Sequence, residues 1–246
     1  MIHIFSSNFL TRKPIEHAVQ TFSRRFTAAH TVLDIGCGNK PYAQYFSCKY
    51  VGLDPFPEAK ADIIRDAWDS GLPDNSVDGI LLNQSLEHIP RTTETIAEVM
   101  RILKPGGLVL VTVPQTMRHH TTPIPATTVP YKNFNVKDIP FWNEDYFRFT
   151  KFGLIYLFRD FEIIRLTPNQ SYLSTLLQLW NYFLASFDMG ILFSPLFCIN
   201  NLLAILLDYL SSLFGKISVR YKALIHEGLT IDHLLIARKH TKQTRL

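Results

Sequence analysis

The sequence predicts an α/β fold, a doubly wound and mostly parallel sheet of seven strands with helices on both faces. Three observations carry this prediction. Short apolar runs bounded by Gly, Pro, Asp or Asn alternate with amphipathic stretches over the first 114 residues. The first run closes on a glycine pair, Gly36 and Gly38. The length of 246 residues suits one α/β domain with an elaboration, and can bury a core without staples.

In order, residues 14–29 read as a helix, with Ile15, Val19, Phe22 and Phe26 at helical spacing. Thr31–Ile35 is a buried-type strand, followed by strands at Tyr50–Leu53, Asp62–Ile64, Val77–Leu82 and Leu108–Val113. Ile96, Val99, Met100 and Leu103 share a face and predict a helix over Thr92–Leu103. Residues 114–143 form a long loop with five prolines, a length that points to function or mobility. A helix at about 144–159, a strand Phe161–Thr167 and a late strand Ile231–Arg238 complete the set. The organisation read from this is a core over 1–168, an apolar helical insertion over 169–228 between the last two strands, and the last strand with a basic tail over 229–246.

Composition narrows the function. Three cysteines, Cys37, Cys48 and Cys198, exclude a disulfide framework, and the absence of CxxC or Cys/His pairing argues against zinc and any other metal site. A net charge of +4 without a dense basic stripe argues against nucleic acid. Met1 to Pro14 lacks a basic n-region and an apolar h-region, so a cytoplasmic protein is expected. Charged residues are 19% of the chain, below the usual ~25%.

Val32-Leu33-Asp34-Ile35-Gly36-Cys37-Gly38 sets a GxG turn where the first strand ends, so that backbone can approach a ligand closely. Asp54 ends the next strand, 18 residues after Gly36, where a carboxylate can accept hydrogen bonds from both ribose hydroxyls. The dinucleotide pattern GxGxxG fails at Pro41, and no lysine-containing P-loop is present. The expected ligand is a nucleoside without a pyrophosphate.

These residues strongly resemble class I S-adenosylmethionine (SAM)-dependent methyltransferases of the broad small-molecule type. VLDIGCGNKPY resembles the first motif of that family and YVGLDPFP the second. DIIRD at Asp62–Asp66, the LPDNSVD run from Leu72 to Asp78, the LNQSLEHIP run from Leu82 to Pro90 and RILKPGG from Arg101 follow in family order. Glu144–Phe158 resembles the helix after the fifth strand. The resemblance covers roughly 28–168 and 229–239, and its motifs specify fold and cofactor but not acceptor. It implies that SAM is the cofactor. It further implies that Asp34, Gly36 and Gly38 line the methionine part with Cys37 packed beside it. Asp54 would hold the ribose, Asp66 and Ala67 border the adenine, and Asn83 approach the methionine side. Lys40 departs from the pattern, standing where a looser GxGxG form has its third glycine.

Methyl transfer from a sulfonium is an in-line displacement, so alignment and desolvation supply much of the acceleration. A base is needed only where the acceptor must lose a proton. His88, just past the fourth strand, is the candidate base, the alternative being a histidine that orients the loop. His119 and His120 in the proline-rich loop could face the acceptor or solvent, and Tyr146 and Arg148 could close the site or lie on a plain helix surface. The Asn/Asp-Pro-Pro-Tyr/Phe motif of base-methylating enzymes is absent, residues 83–86 reading Asn-Gln-Ser-Leu. A noncatalytic SAM-binding scaffold is the alternative function.

Residues 166–215 hold only two charges, Asp188 and Asp208, which accounts for the low charged fraction. Leu173, Leu176, Leu177, Trp180, Phe183, Leu184 and Phe187 fall on one helical face; Ser174, Thr175, Gln178 and Asn181 take the other. A second helix is expected over about 196–214, with a narrow polar stripe of Ser194, Cys198, Asn201, Asp208 and Ser212. Lys216, Arg220 and Lys222 follow. Two readings stay open: a hairpin lying in a membrane interface, peripheral on the inner face, and a lid or homodimer interface through 169–215. The first would bring the enzyme to a lipid-linked or glycan acceptor, the second to an ordinary small molecule.

Overall fold

The computed structural model describes residues 2–118, 145–187, 189–215 and 229–241. Its seven strands are β1 (Thr31–Ile35), β2 (Lys49–Asp54), β3 (Ile63–Ile64), β4 (Val77–Asn83), β5 (Leu103–Pro114), β6 (Glu162–Pro168) and β7 (Asp232–Arg238). They form one sheet in the order β3-β2-β1-β4-β5-β7-β6. The β1–β2, β1–β4, β2–β3 and β4–β5 pairs are parallel, whereas β7 runs antiparallel to both β5 and β6. The expected mostly parallel, Rossmann-like sheet is therefore observed. The chain turns left from β1 to β2 and returns to the other side as β4. Strand order reverses there, and a crevice opens beyond the carboxyl ends of those strands.

Alternation along the strands builds two core layers. Leu33, Leu82, Val111 and Leu235 face helices α2 (Thr92–Ile102) and α3 (Lys151–Leu157). Their neighbours Val32, Leu81, Leu110 and Leu234 face α1 (Phe9–Ser23), which answers with Ile15, Val19 and Phe22. Burial on both faces explains why the strands read as continuous apolar runs.

Element boundaries differ from expectation at α1, β5, α3 and the second helix of the insertion, which runs Gly190–Gly215 with Pro195 inside it and not from about 196. Helix α1 starts before Pro14 rather than at it. A proline inside a helix leaves the carbonyl four residues earlier without its donor. Here that carbonyl, Leu10 O, accepts from Gln170 Nε2 at 2.9 Å, so a distant side chain repairs the helix. The helix ends at Ser23, yet Phe26 is buried from the turn that follows. Strand β5 begins at Leu103 because Gly106, at φ +80°, lets the chain bend without leaving the sheet. Helix α3 is a short piece capped by Thr150 Oγ1, which accepts from Gly153 N at 3.1 Å; residues 145–150 before it are irregular.

Between β6 and β7 stand α4 (Tyr172–Ala185) and α5 (Gly190–Gly215), packed on each other and on α1. Their orientation reverses the usual rule. Ser174, Thr175, Gln178, Asn181 and Asn201 are buried, while Leu176, Trp180, Phe183 and Phe187 of the first helix are each about half exposed. On α5, Ile191, Leu192, Ile199, Leu202 and Leu206 are likewise exposed. The buried amides find partners. Asn181 Nδ2 donates to Asn201 Oδ1 at 3.0 Å, and Asn200 Nδ2 donates to Asn181 Oδ1 at 2.8 Å. Gln178 Nε2 donates to Ser7 O, and Asn201 Nδ2 to Ile4 O, both at 2.6 Å. The hairpin thus clasps the amino-terminal segment through polar groups and turns its apolar side outward. Over Gly190–Leu213, α5 is long and apolar enough to cross a membrane by length and composition alone. The basic residues expected after it, Lys216, Arg220 and Lys222, lie outside the described residues, as do His119 and His120.

Candidate active site

The turn after β1 is shaped by its glycines. Gly36 has φ +74°, and a Cβ there would stand 2.5 Å from the Cβ of Ser85, which follows β4. Gly38 has φ +48° and faces open space. Lys40 also takes the left-handed conformation, at φ +54°. It adopts the backbone that the absent third glycine would provide, at a strain cost that a side-chain bridge from its ammonium to Asp62 helps to offset. Asp62 in turn accepts from Gly52 N at 2.8 Å, so this pair ties the glycine turn to β2.

Asp54 closes β2 and is buried. Its Oδ2 accepts from Gly38 N at 2.9 Å and its Oδ1 from Phe56 N at 3.1 Å, so the carboxylate bridges the two loops that bound the crevice. Asp34 is also buried; its carboxylate accepts from the Tyr50 hydroxyl, and burial pushes its carboxyl up to about 6. Burial raises the Cys37 thiol to about 12, which keeps it a packing group and not a nucleophile. Asn83 ends β4 and accepts from Thr112 Oγ1.

Two cavities meet at this crevice. The smaller, about 160 Å³, is bounded by Asp54, Phe56, Asp66, Ala67, Trp68 and His88. The larger, about 620 Å³, is bounded by Asp34, Cys37, Gly38, Tyr42 and Asn83 on one side and by Arg12, Arg118 and Tyr182 on the other. Gly36 and Gln84 line both and form the passage between them. All nine residues picked from the sequence therefore converge on one crevice. His88, however, stands with Asp66 and Ala67 on the smaller cavity, away from the larger one. Tyr146 and Arg148 are held by the scaffold: Tyr146 N donates to Glu87 O at 2.9 Å, and Arg148 pairs with Asp145 and donates to Met117 O at 3.3 Å.

Behind the passage lie two buried carboxyls. Asp232 Oδ1 accepts from Gln84 Nε2 at 3.2 Å, holding that side chain although Gln84 itself has φ +51°. Burial pushes Asp232 up to about 7 and Glu87 up to about 8. Neither Glu87 oxygen has a hydrogen-bond partner among the described residues.

Gln84, Trp68, Arg12, Arg118 and Tyr182 were not expected at the site. Gln84 follows Asn83 inside a recognised motif and was legible there. Trp68 likewise follows Ala67, whereas Arg12, Arg118 and Tyr182 come from segments far apart in the chain, and nothing local marks them.

Comparison with known proteins agrees with this geometry. Residues 9–155 match the family model described as a methyltransferase domain, and the chain belongs to that family. Its sheet order and glycine turn are those of the Rossmann-like fold on which that domain is built. The matched span ends within α3, so the hairpin lies outside it. An uncharacterized methyltransferase of Mycobacterium tuberculosis is 34% identical over 95 residues, covering 32% of this chain and 37% of that protein. One from Mycobacterium avium is 35% identical over 98 residues, covering 33% and 38%. The chain thus spans well under half the length of the curated relatives it matches. Among solved structures, the [4+2]-cyclase SpnF superposes with a TM-score of 0.54 at 19% identity, over 92% of this chain and 81% of that one. Phosphoethanolamine N-methyltransferase 2 of Haemonchus contortus, in complex with SAM, gives 0.52 at 17% identity, over 96% and 56%. At such identities the likeness concerns the fold.

The crevice fits SAM. Gly38 faces open space where a ligand can approach the backbone, Asp54 is buried at the rim of the smaller cavity, and Gly36 lines both that recess and the wider chamber.

Proposed function

We propose that this protein transfers the methyl group of SAM to a small acceptor presented at a membrane surface, a lipid-linked or glycan-bearing molecule approached from the cytoplasmic side. The observation that carries the reading is the reversed hairpin. A soluble monomer rarely exposes a contiguous apolar patch beyond about 300–600 Å², and larger ones mark protein or membrane contact. Here an entire helical layer turns Trp, Phe, Leu and Ile side chains outward while burying its amides, which is the arrangement of a helix lying in an interface. The same hairpin contributes Tyr182 to the larger cavity, so the element that carries the apolar face also walls that chamber.

When bound, SAM supplies an electrophilic methyl carbon on its sulfonium. The residues of the chain bind and orient. Asp54 holds the ribose, Asp66 and Ala67 border the adenine, and Trp68 flanks that recess. Asp34, Gly36, Cys37 and Gly38 with Asn83 line the methionine end. His88 serves the adenosine recess in this reading, and acceleration comes from alignment and exclusion of water in the larger chamber.

Flotation of the full chain with phospholipid vesicles tests the reading. Co-flotation that is lost on Leu202→Ser with Leu206→Ser supports it. A protein that stays unbound and sediments as a dimer whose interface those substitutions disrupt would make the apolar face a subunit contact instead. Incubation of labelled SAM with a lipid extract and a soluble extract then separates an enzyme from a scaffold. Label in the lipid fraction supports the proposed acceptor class, and no label in either favours a noncatalytic SAM-binding protein.

A further inference from the structure

We infer that the larger cavity recognises an acceptor bearing an anionic oxygen group, a phosphate or carboxylate, joined to an apolar chain. This rests on the membrane-surface reading above and names the chemistry of its substrate.

Two guanidinium groups line the cavity, and neither has an acidic partner among the described residues. Arg12 projects from α1 and Arg118 from the segment leaving β5. Arg118 lies over the Tyr182 ring, 5.3 Å from its centroid, and the Tyr182 hydroxyl is 2.8 Å from Thr11 Oγ1, one residue before Arg12. The stacked ring fixes one guanidinium, and the hydroxyl bond ties that ring to the helix carrying the other. The acid lining this cavity, Asp34, is buried and engaged by Tyr50.

Charge balance then selects the ligand. SAM carries a single net positive charge, from a sulfonium and an ammonium against one carboxylate. Among the described residues, and even with Asp34 ionised, two arginines and the cofactor leave the chamber with surplus positive charge. A cationic acceptor would meet repulsion, whereas an oxyanion gains charge-assisted hydrogen bonds in the fork geometry that guanidinium provides. Tyr182 belongs to α4, whose outer face carries Trp180 and Phe183. Within the cavity, Ile15, Pro41, Met117 and the Tyr182 ring supply the apolar wall beside the arginines against which an attached apolar chain would lie.

The competing use of these arginines is to hold the carboxylate of the cofactor, and the test separates the two. Protein saturated with S-adenosylhomocysteine is titrated calorimetrically with octyl phosphate below its micellar concentration, with octyl glucoside and with inorganic phosphate. Octyl phosphate is expected to bind and octyl glucoside to bind far less. Arg12→Gln and Arg118→Gln should each weaken octyl phosphate about tenfold or more while leaving S-adenosylhomocysteine affinity within about twofold. Both side chains are exposed, so unchanged melting temperatures confirm that the variants fold. No binding of octyl phosphate, equal binding of octyl glucoside, or loss of S-adenosylhomocysteine affinity in the variants would overturn the inference. Inorganic phosphate that binds as tightly as octyl phosphate would overturn the apolar-chain part of the inference, and the membrane reading with it, while leaving the anion site at the arginines.

Discussion

Asp54 does two things with one carboxylate. It accepts from the backbone of Gly38 and of Phe56, and it borders the recess assigned to adenosine. Replacing it with Ala removes a charged acceptor and loosens both loops. Charge-assisted bonds of this kind are worth about 1.5–3 kcal/mol, so SAM affinity measured by calorimetry should fall at least about tenfold. Unaltered binding would remove Asp54 from the ribose site. Glu87 behaves differently: it is buried with neither oxygen hydrogen-bonded among the described residues, and His88 Nε2 stands 3.8 Å from Oε1. Its carboxyl is raised to about 8, and that of Asp232 to about 7, first by burial in each case. The native state keeps protons that the unfolded chain releases near pH 4–5, so stability is highest below that range. It declines as pH rises through about 8. His233, lowered to about 4 by burial, opposes this trend only up to its unfolded value near 6.5. Between pH 6.5 and 8 the melting temperature should therefore fall. Glu87→Gln, which cannot ionise, should flatten the decline, and an equally steep decline in that variant would contradict the assignment.

At the scale of elements, the hairpin inverts the usual result of core and surface substitution. Asn181→Leu adds apolar volume at a buried site, yet it strands Asn200 Nδ2 and Asn201 Oδ1. Each buried polar group left without a partner costs about 1–3 kcal/mol, so the melting temperature should drop by several degrees. Leu206→Ser on the outer face should change stability by less than about 0.5 kcal/mol while weakening vesicle binding. Equal destabilisation by both would mean that the outer face is packed. The sequence periodicity found both faces of α4 apart from Leu184, which is buried, because 3.6-residue spacing is local; on α5 the expected stripe fails at Ser212, which is exposed. Periodicity carries no sign that says which face turns inward. That choice is made by the amino-terminal segment, whose carbonyls from Ile4, Ser6 and Ser7 face the amides. Strands such as Thr31–Ile35 were legible to the residue because apolar content and a closing glycine both lie within them. Helix α1 was displaced because the donor that repairs Pro14 sits on Gln170, far along the chain.

For the whole molecule, a positive balance and a single apolar layer predict a salt-sensitive attachment. The net charge is +4. Vesicles containing anionic lipid should retain the protein better than neutral ones, and the difference should shrink as ionic strength passes about 0.15 M, where the Debye length is ~8 Å. Binding indifferent to both lipid charge and salt would leave apolar contact as the sole attraction. The convergence of Arg12, Arg118 and Tyr182 belongs to this scale as well. No window of sequence contains all three, and only the folded chain brings α1, the exit of β5 and α4 to one chamber.

The register of β6 against β7 has a separate consequence. Pro168 pairs with His233, so the insertion leaves and re-enters the sheet across one strand spacing, about 4.8 Å. Such a junction behaves as a socket: a cassette of any length whose ends meet can be seated there without disturbing the ladder. A two-residue hairpin turn in its place should yield a smaller folded core, provided residues 2–10 are trimmed with it, since their carbonyls would otherwise lose the amides that the cassette brings.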